Sequence, residues 1–356
     1  VFTTNKVKGH SLQLTMEHIK NGYANAIIIN SGSANACIGD QGYEDAKEIC
    51  TIAAELLDCS PDQVLVGSTG VIGKRLDMDK IRPALPALIE NMSPDGGGEA
   101  QEAIMTTDLI KKEVAVEVEI QDTKVVIGGM AKGSGMIHPN MATMIGVITT
   151  DLNIKNTLLE KALKETVNHT FNRVSVDGDT RDCDMVVIMA NGMAENPGII
   201  TENEEYENFC KALDYVCSEL SRLIAKDGEG ATKLVKVIAE GANTAEDAYK
   251  VVCSVAKSPL VKTAIFGEDA NWGRIFTAVG YSGAEFDPLL TDIYIGDLLV
   301  CKAGCAIDFD EESAKNILKR SEIKIVIHLN KGVYSDRMWT CDFSYDYVKI
   351  NASYRT

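Results

Sequence analysis

Between residues 114 and 120, apolar Val114, Val116, Val118 and Ile120 alternate with Ala115, Glu117 and Glu119. A period of two sends successive side chains to opposite faces, which predicts a half-buried strand; "QDTK" then turns the chain into "VVIGG" and so predicts a hairpin. After a loop rich in glycine and small residues, a second apolar run, "TMIGVITT", opens at Thr143. Helical spacing follows at Leu159, Ala162, Leu163, Thr166 and Val167, then "DMVVIMA" reads as a buried strand. A long helix is predicted from about Glu205 to Lys226, with Tyr206, Phe209, Cys210, Leu213, Cys217, Leu220 and Ile224 on one stripe and a glycine in "KDGEG" ending it. Another is predicted from about Thr244 to Lys257, opened by Thr244-x-x-Asp247 and closed before Pro259. Ile323, Ile325, Ile327 and Leu329 alternate as a late strand, and "SPDGGGEAQ" is the most linker-like stretch. Strands mixed with helices restrict the class to α+β or α/β.

Composition narrows function. A net charge of -17, with no run of lysines or arginines, excludes nucleic acid and anionic membrane surfaces as partners, because both need a positive footprint. No apolar stretch approaches the roughly 18 residues of a membrane span, and "VFTTNKVKGHSLQL" lacks the layout of a signal peptide, so a cytoplasmic protein is expected. The chain starts without methionine in what reads as a strand, and residues are expected ahead of Val1. The ten cysteines form no Cys-x-x-Cys or zinc spacing and read as reduced core thiols; the five histidines are equally dispersed. No metal site or Ser-His-Asp arrangement is legible.

Four short motifs bear on chemistry. "VGSTGVIGKRL" fails as a phosphate loop, since Gly67 to Gly73 leaves five intervening residues and Arg75 replaces the Ser/Thr that holds magnesium. Its "STG" suits either a plain strand-to-helix turn or a turn aiming N–H groups and the Thr69 hydroxyl at a developing oxyanion. Asp177-Gly178-Asp179-Thr180 reads as a turn, because no calcium-type run of oxygen ligands follows. Glu229, between two glycines beyond a helix end, is either a substrate-amine ligand in an exposed position or part of a capped loop. Thr143 presents a hydroxyl that is a poor nucleophile without a base, and the most economical base is its own α-amino group, freed by cutting the Ala142-Thr143 bond. That amine would titrate at about 7.7–8.0 and be partly neutral at cytosolic pH.

Six stretches in order along the chain, "STGVIG", "KGSGMIHPNMATM", "FNRVSVDGDT", "DGEGATK", "SPLVKTAIFGEDANWGRI" and "WTCDFSYDYVKINASYRT", together resemble the ornithine acetyltransferase (glutamate N-acetyltransferase) family of arginine biosynthesis. The resemblance runs from near Val1 to Thr356. It implies an α+β fold, an αββα sandwich resembling the N-terminal-nucleophile hydrolases with different connectivity, plus a smaller C-terminal α/β domain. The implied division is a catalytic core over 1–240 and a C-terminal domain over 241–356 whose tail returns to the active site. Self-cleavage between Ala142 and Thr143 would give an alpha chain, 1–142, and a beta chain, 143–356. Thr143 would then be nucleophile, Thr69 and Gly70 the oxyanion hole, and Thr107, Lys132, Thr143, Glu229, Asn351 and Thr356 the substrate-binding residues. Within "MTTD", Thr107 is preferred to Thr106.

The implied reaction is ping-pong: acetyl moves from N-acetylornithine to Thr143 and then to glutamate, without metal or cofactor, with acetyl-CoA as a candidate co-substrate. A heterotetramer of two alpha and two beta fragments is implied. His138 and the run Arg181-Asp182-Cys183-Asp184 stand where the family pattern leads one to expect other, small or polar residues; His138 reads as a solvent-facing loop residue. A hydrolase of the β-aminopeptidase type, also autocleaved, is the alternative, and an uncut binding protein is a third reading.

Overall fold

A computed structural model describes residues 1–138 and 144–353. The expected cleavage site, Ala142 and Thr143, and the terminal Thr356 lie outside them. In chain order the principal elements are α1 (His10–His18), β1 (Ala26–Ser33), α2 (Gln41–Leu57), β2 (Val64–Val71), α3 (Met78–Glu90), α4 (Gly97–Ile104), β3 (Glu113–Ile120), β4 (Thr123–Lys132), β5 (Ile145–Thr150), α5 (Asn156–His169), β6 (Val174–Ser175), β7 (Met185–Ala190) and α6 (Glu204–Lys226). They continue as β8 (Leu234–Ala242), α7 (Ala245–Lys257), α8 (Pro259–Phe266), α9 (Trp272–Gly280), β9 (Asp292–Ile295), β10 (Leu298–Lys302), β11 (Cys305–Ala306), α10 (Glu311–Leu318), β12 (Glu322–His328), β13 (Tyr334–Cys341) and α11 (Tyr345–Ser353).

The described residues divide into two compact units, one of residues 1–138, 144–172 and 179–220, the other of residues 173–178 and 221–353. Residue 240, the expected boundary, lies within β8. An α+β class is what the chain adopts.

In the first unit, β3-β4-β5-β7 form a four-stranded sheet and β1-β2 a parallel pair. The predicted hairpin is present: β3 and β4 are antiparallel, and Gln121 and Asp122 at φ 50° and 60° make the left-handed two-residue turn that matches strand twist. Val64 and Val66 pack with Ala46, Ile49 and Ala53 of α2 and Leu85 of α3. Leu65, pointing the other way, packs with Ile145 and Val147 of β5 and Met185 and Val187 of β7. The far side of the larger sheet meets α6, whose Val216 and Leu220 lie so close to Gly129 that a Cβ there would stand 3.0 Å from each. The strand expected at the chain start is instead a single bridge, Phe2 to Met185, before α1. Its residues lack a sustained alternation, which is what a ladder needs.

The second unit carries a seven-stranded sheet ordered β11-β10-β9-β12-β8-β13-β6. Its core joins Val251, Val252 and Val255 of α7 to Val235 and Val237 of β8 and Ile325 and Ile327 of β12. Thr244 caps α7 as predicted, its side chain accepting from the N–H of Asp247 at 3.0 Å. The Asp247 carboxylate accepts from the Thr244 hydroxyl at 2.6 Å and the Glu285 N–H at 2.9 Å.

A buried lysine and two threonines in the first unit

"STG" is the end of strand β2 rather than a strand-to-helix turn, and the reason is its neighbour. Ser68, Thr69 and Gly70 lie in register with Asn30, Ser31 and Gly32 of β1. The pairing closes over Gly70 so tightly that a Cβ would stand 2.4 Å from the Gly32 carbonyl carbon, at a φ of 131°. Only glycine fits there. A line of buried polar groups anchors this strand end: Asn35 donates to the Ser11 hydroxyl at 2.9 Å, Ser11 and Ser68 share a 2.7 Å bond, and Ser68 donates to Asn30 at 2.6 Å. From outside the pair, Arg181 donates to the Gly70 carbonyl at 2.6 Å.

Lys132, the last residue of β4, is 2% exposed and aims its ammonium at this strand end. It donates to Thr106 Oγ1 at 2.9 Å and more weakly to Thr69 Oγ1 at 3.4 Å. The threonine of "MTTD" that meets the lysine is therefore Thr106; among the described residues no hydrogen bond brings Thr107 to it. Sequence spacing has no way to choose between adjacent threonines, because the irregular stretch after α4 sets which one faces inward. Burial is the largest influence on Lys132 and lowers its pKa to about 8; Asp108 opposes the shift, Arg181 and Lys112 add to it, and Asp184 opposes it. At neutral pH the group is mostly an ammonium. Because it donates to both hydroxyl oxygens, each threonine keeps its own hydrogen for another acceptor. The cluster can thus present a positive charge and two O–H donors to a small anionic or oxyanionic group.

Asp108 underlies this cluster. Its carboxylate accepts from Lys112 at 2.7 Å, from the Gly133 N–H at 2.6 Å and from the Thr106 N–H at 3.1 Å, and it stands 3.8 Å from Lys132. Burial pushes its pKa up, but Lys132 and Lys112 outweigh that and hold it below the ordinary value. Sequence reasoning passed over both Asp108 and Lys112; the signal was an Asp-x-x-x-Lys pair beside "MTT", which looks like any surface ion pair until burial is known. The run Arg181-Asp182-Cys183-Asp184 is buried throughout. His138 is half-buried rather than solvent-facing.

In the second unit, Glu229 sits in the loop after α6, and it is buried, 6% exposed, where the sequence suggested an exposed carboxylate. The cover comes from α11. Asn351 donates to Glu229 Oε2 at 2.9 Å, and Ser344 donates to the Gly230 carbonyl at 2.5 Å. Gly230, at φ 68°, permits this approach, since a Cβ would stand 2.4 Å from the Tyr347 nitrogen. Phe343 and Tyr347 stack at 4.5 Å and stiffen the return. So Asn351 reaches one of the residues it was expected to serve, by a contact 122 positions apart in sequence.

No group of His, Cys, Asp or Glu among the described residues has the arrangement of a metal site. No helix among them is long and apolar enough to cross a membrane. Fold and site define an α+β protein with a buried ammonium–hydroxyl cluster at a glycine-tightened strand end.

Known proteins make the definition specific. The ArgJ family profile matches residues 1–356, and the chain belongs to that family. The arginine biosynthesis bifunctional protein ArgJ of Caldanaerobacter subterraneus subsp. tengcongensis is 51% identical, over all of this chain and 89% of that protein. The protein of the same name from Symbiobacterium thermophilum is 49% identical, again over all of this chain and 89% of its own length. A crystal structure of arginine biosynthesis bifunctional protein argJ from Bacillus halodurans matches with a TM-score of 0.56 and 46% identity, covering 58% of this chain and 97% of that one.

Proposed function

We propose that this protein is an acetyltransferase of arginine biosynthesis that moves acetyl from N-acetylornithine to glutamate through an acetyl-Thr143 intermediate. The observation that carries the reading is the full-length match to proteins named for bifunctional action in arginine biosynthesis. The Lys132 cluster supports it locally. An ammonium and two hydroxyl donors suit a substrate carboxylate and the oxyanion of acyl transfer.

In this mechanism the Thr143 hydroxyl attacks the Ala142 carbonyl, the peptide C–N bond breaks as the α-amine leaves, water hydrolyses the resulting ester to free the hydroxyl and an Ala142 carboxylate, and the released α-amine serves as base. The hydroxyl then adds to the acetyl carbonyl of N-acetylornithine while its proton passes to the amine. Thr69, through its O–H, and Gly70, through its N–H, stabilise the tetrahedral oxyanion. Collapse breaks the amide C–N bond, ornithine leaves with the proton, and the neutral amine of glutamate attacks the acetyl ester in reverse order. Lys132 holds substrate carboxylate, a threonine of the Thr106-Thr107 pair assists it, Glu229 holds the substrate amine, and Asn351 and Thr356 complete the binding set. The αββα likeness to N-terminal-nucleophile hydrolases, the assembly of two alpha and two beta fragments and a cytoplasmic location belong to the same proposal.

The test is the intact denatured mass of purified protein after brief incubation with N-acetylornithine and no acceptor. Two fragments divided before Thr143, with one acetyl on the fragment that begins there, are expected; Thr143→Ala stays whole and inactive. A single unmodified wild-type chain refutes the mechanism. Adding acetyl-CoA in place of N-acetylornithine tests it as a second donor: acetylation of the same fragment is expected only if it is one.

A further inference from the structure

One carboxylate, that of Asp108, touches both Lys132 and Thr106 of the cluster. Asp108 accepts the N–H of Thr106, whose hydroxyl takes the Lys132 ammonium, and the N–H of Gly133, the residue that follows Lys132. It also accepts from Lys112, whose own carbonyl takes the Ala131 N–H, immediately before Lys132, at 3.0 Å. The main chain on both sides of Lys132 and the hydroxyl it addresses are thus fixed from one point. Asp108, Lys112 and Lys132 are all buried, so water supplies neither bonds nor screening.

We propose that Asp108 is a positioning residue: together with Lys112 it forms a neutral buried pair that locks the Lys132 ammonium onto Thr106 and Thr69, leaving Lys132 with the positive charge that receives a substrate carboxylate. This rests on the substrate role proposed above for Lys132. The pairing explains why two buried lysines stand beside one aspartate. Lys112 and the Gly133 N–H share one Asp108 oxygen, at 2.7 and 2.6 Å, while Lys132, 3.8 Å from the other, is near enough to be kept charged and too far for a direct hydrogen bond. The other charged groups acting on Lys132 are Arg181, which disfavours its charge, and Asp184, which favours it.

The experiment is a pH titration of Lys132 by NMR on protein labelled at the lysine side-chain nitrogen and adjacent carbon, the signal being assigned by its loss in Lys132→Met. Wild type should titrate at about 8. In Asp108→Asn the midpoint is expected to fall by about one pH unit or more, a tenfold change in the proton dissociation constant, and in Arg181→Met to rise. Should Asp108→Asn fail to fold, Asp108→Asn with Lys112→Met is titrated instead, and its Lys132 midpoint is expected below that of wild type, because Asp108 favours the Lys132 charge more than Lys112 disfavours it. Binding of glutamate and of N-acetylornithine at pH 7.5 is measured on the same samples, and about tenfold weaker binding is expected without Asp108. An unchanged Lys132 midpoint, or a shifted midpoint with unchanged binding, overturns the proposal. The outcomes stay separable: wild type that binds neither ligand sinks the acetyltransferase reading, whereas the titration judges Asp108 in either case.

Discussion

Replacing Lys132 by methionine should stabilise the protein while abolishing its activity, and the size of the effect follows from the lysine's surroundings. A lysine that titrates near 10.5 in the unfolded chain and at about 8 when folded holds fewer protons in the folded state across that window. The sign is then fixed: the unfolded chain binds the extra proton, so stability rises as pH climbs from about 8 toward 10.5, and below 8 the full cost of a buried charge is present. A shift of about 2.5 units corresponds to roughly 3 kcal/mol at neutral pH. Methionine removes that cost but also the bonds to Thr106 and Thr69, each worth about 0.5–1.5 kcal/mol net. The variant should therefore be as stable as wild type at pH 7 or up to about 2 kcal/mol more so. A cleaner quantity is the pH dependence of the difference. Between pH 7 and 9.5, wild type should gain about 2 kcal/mol relative to the methionine variant, because only wild type can shed the proton. Urea unfolding of both proteins at the two pH values measures it, and other titrating groups cancel. A Lys132→Met protein markedly less stable than wild type, or a difference that does not move with pH, would refute the argument that burial outweighs Asp108 here.

Three further outcomes are expected. Gly70→Ala should cost at least about 3 kcal/mol and prevent acyl transfer, since the added Cβ meets Gly32 backbone at a φ of 131°; Gly97→Ala, at the open start of α4, should change stability by less than about 1 kcal/mol in thermal unfolding. Asn351→Ala should weaken N-acetylornithine binding in calorimetry about tenfold, by leaving Glu229 without its amide donor, while Ala142-Thr143 cleavage, followed by denaturing gel, proceeds normally. Thr244→Ala should lower stability by about 1 kcal/mol, read from the urea midpoint, with activity unchanged, because it removes the α7 cap from a helix that serves only the core of its unit.

Much of the fold was legible because its strongest signals are periodic. The hairpin of β3 and β4, the stripe of α6 and the cap of α7 each follow from a repeat of 2 or 3.6 or from a capping residue, and local physics sets all three. The start of the chain and the extent of the two units were not legible, since they depend on which distant strand a segment joins. Phe2 finds Met185, and β6 of two residues finds β13.

At the candidate site the division is sharper. Residue type raised Thr69, Gly70 and Glu229 as candidates and the family resemblance added Lys132 and Asn351, but neither says anything about solvent, and solvent decides what such groups do. Glu229 read as an exposed carboxylate because it stands between glycines, yet one of those glycines, Gly230, is what lets α11 close over it. Asp108 and Lys112 read as nothing at all, because four residues apart on a surface such a pair is worth a few tenths of a kcal/mol. Buried beside Lys132, the aspartate favours the charge of that lysine and Lys112 disfavours it. Burial is a property of the whole chain's folding. It is therefore the buried ion pair, more than the threonines or the glycine of the strand end, that a single sequence conceals, and together with burial itself it bears on the protonation state of Lys132.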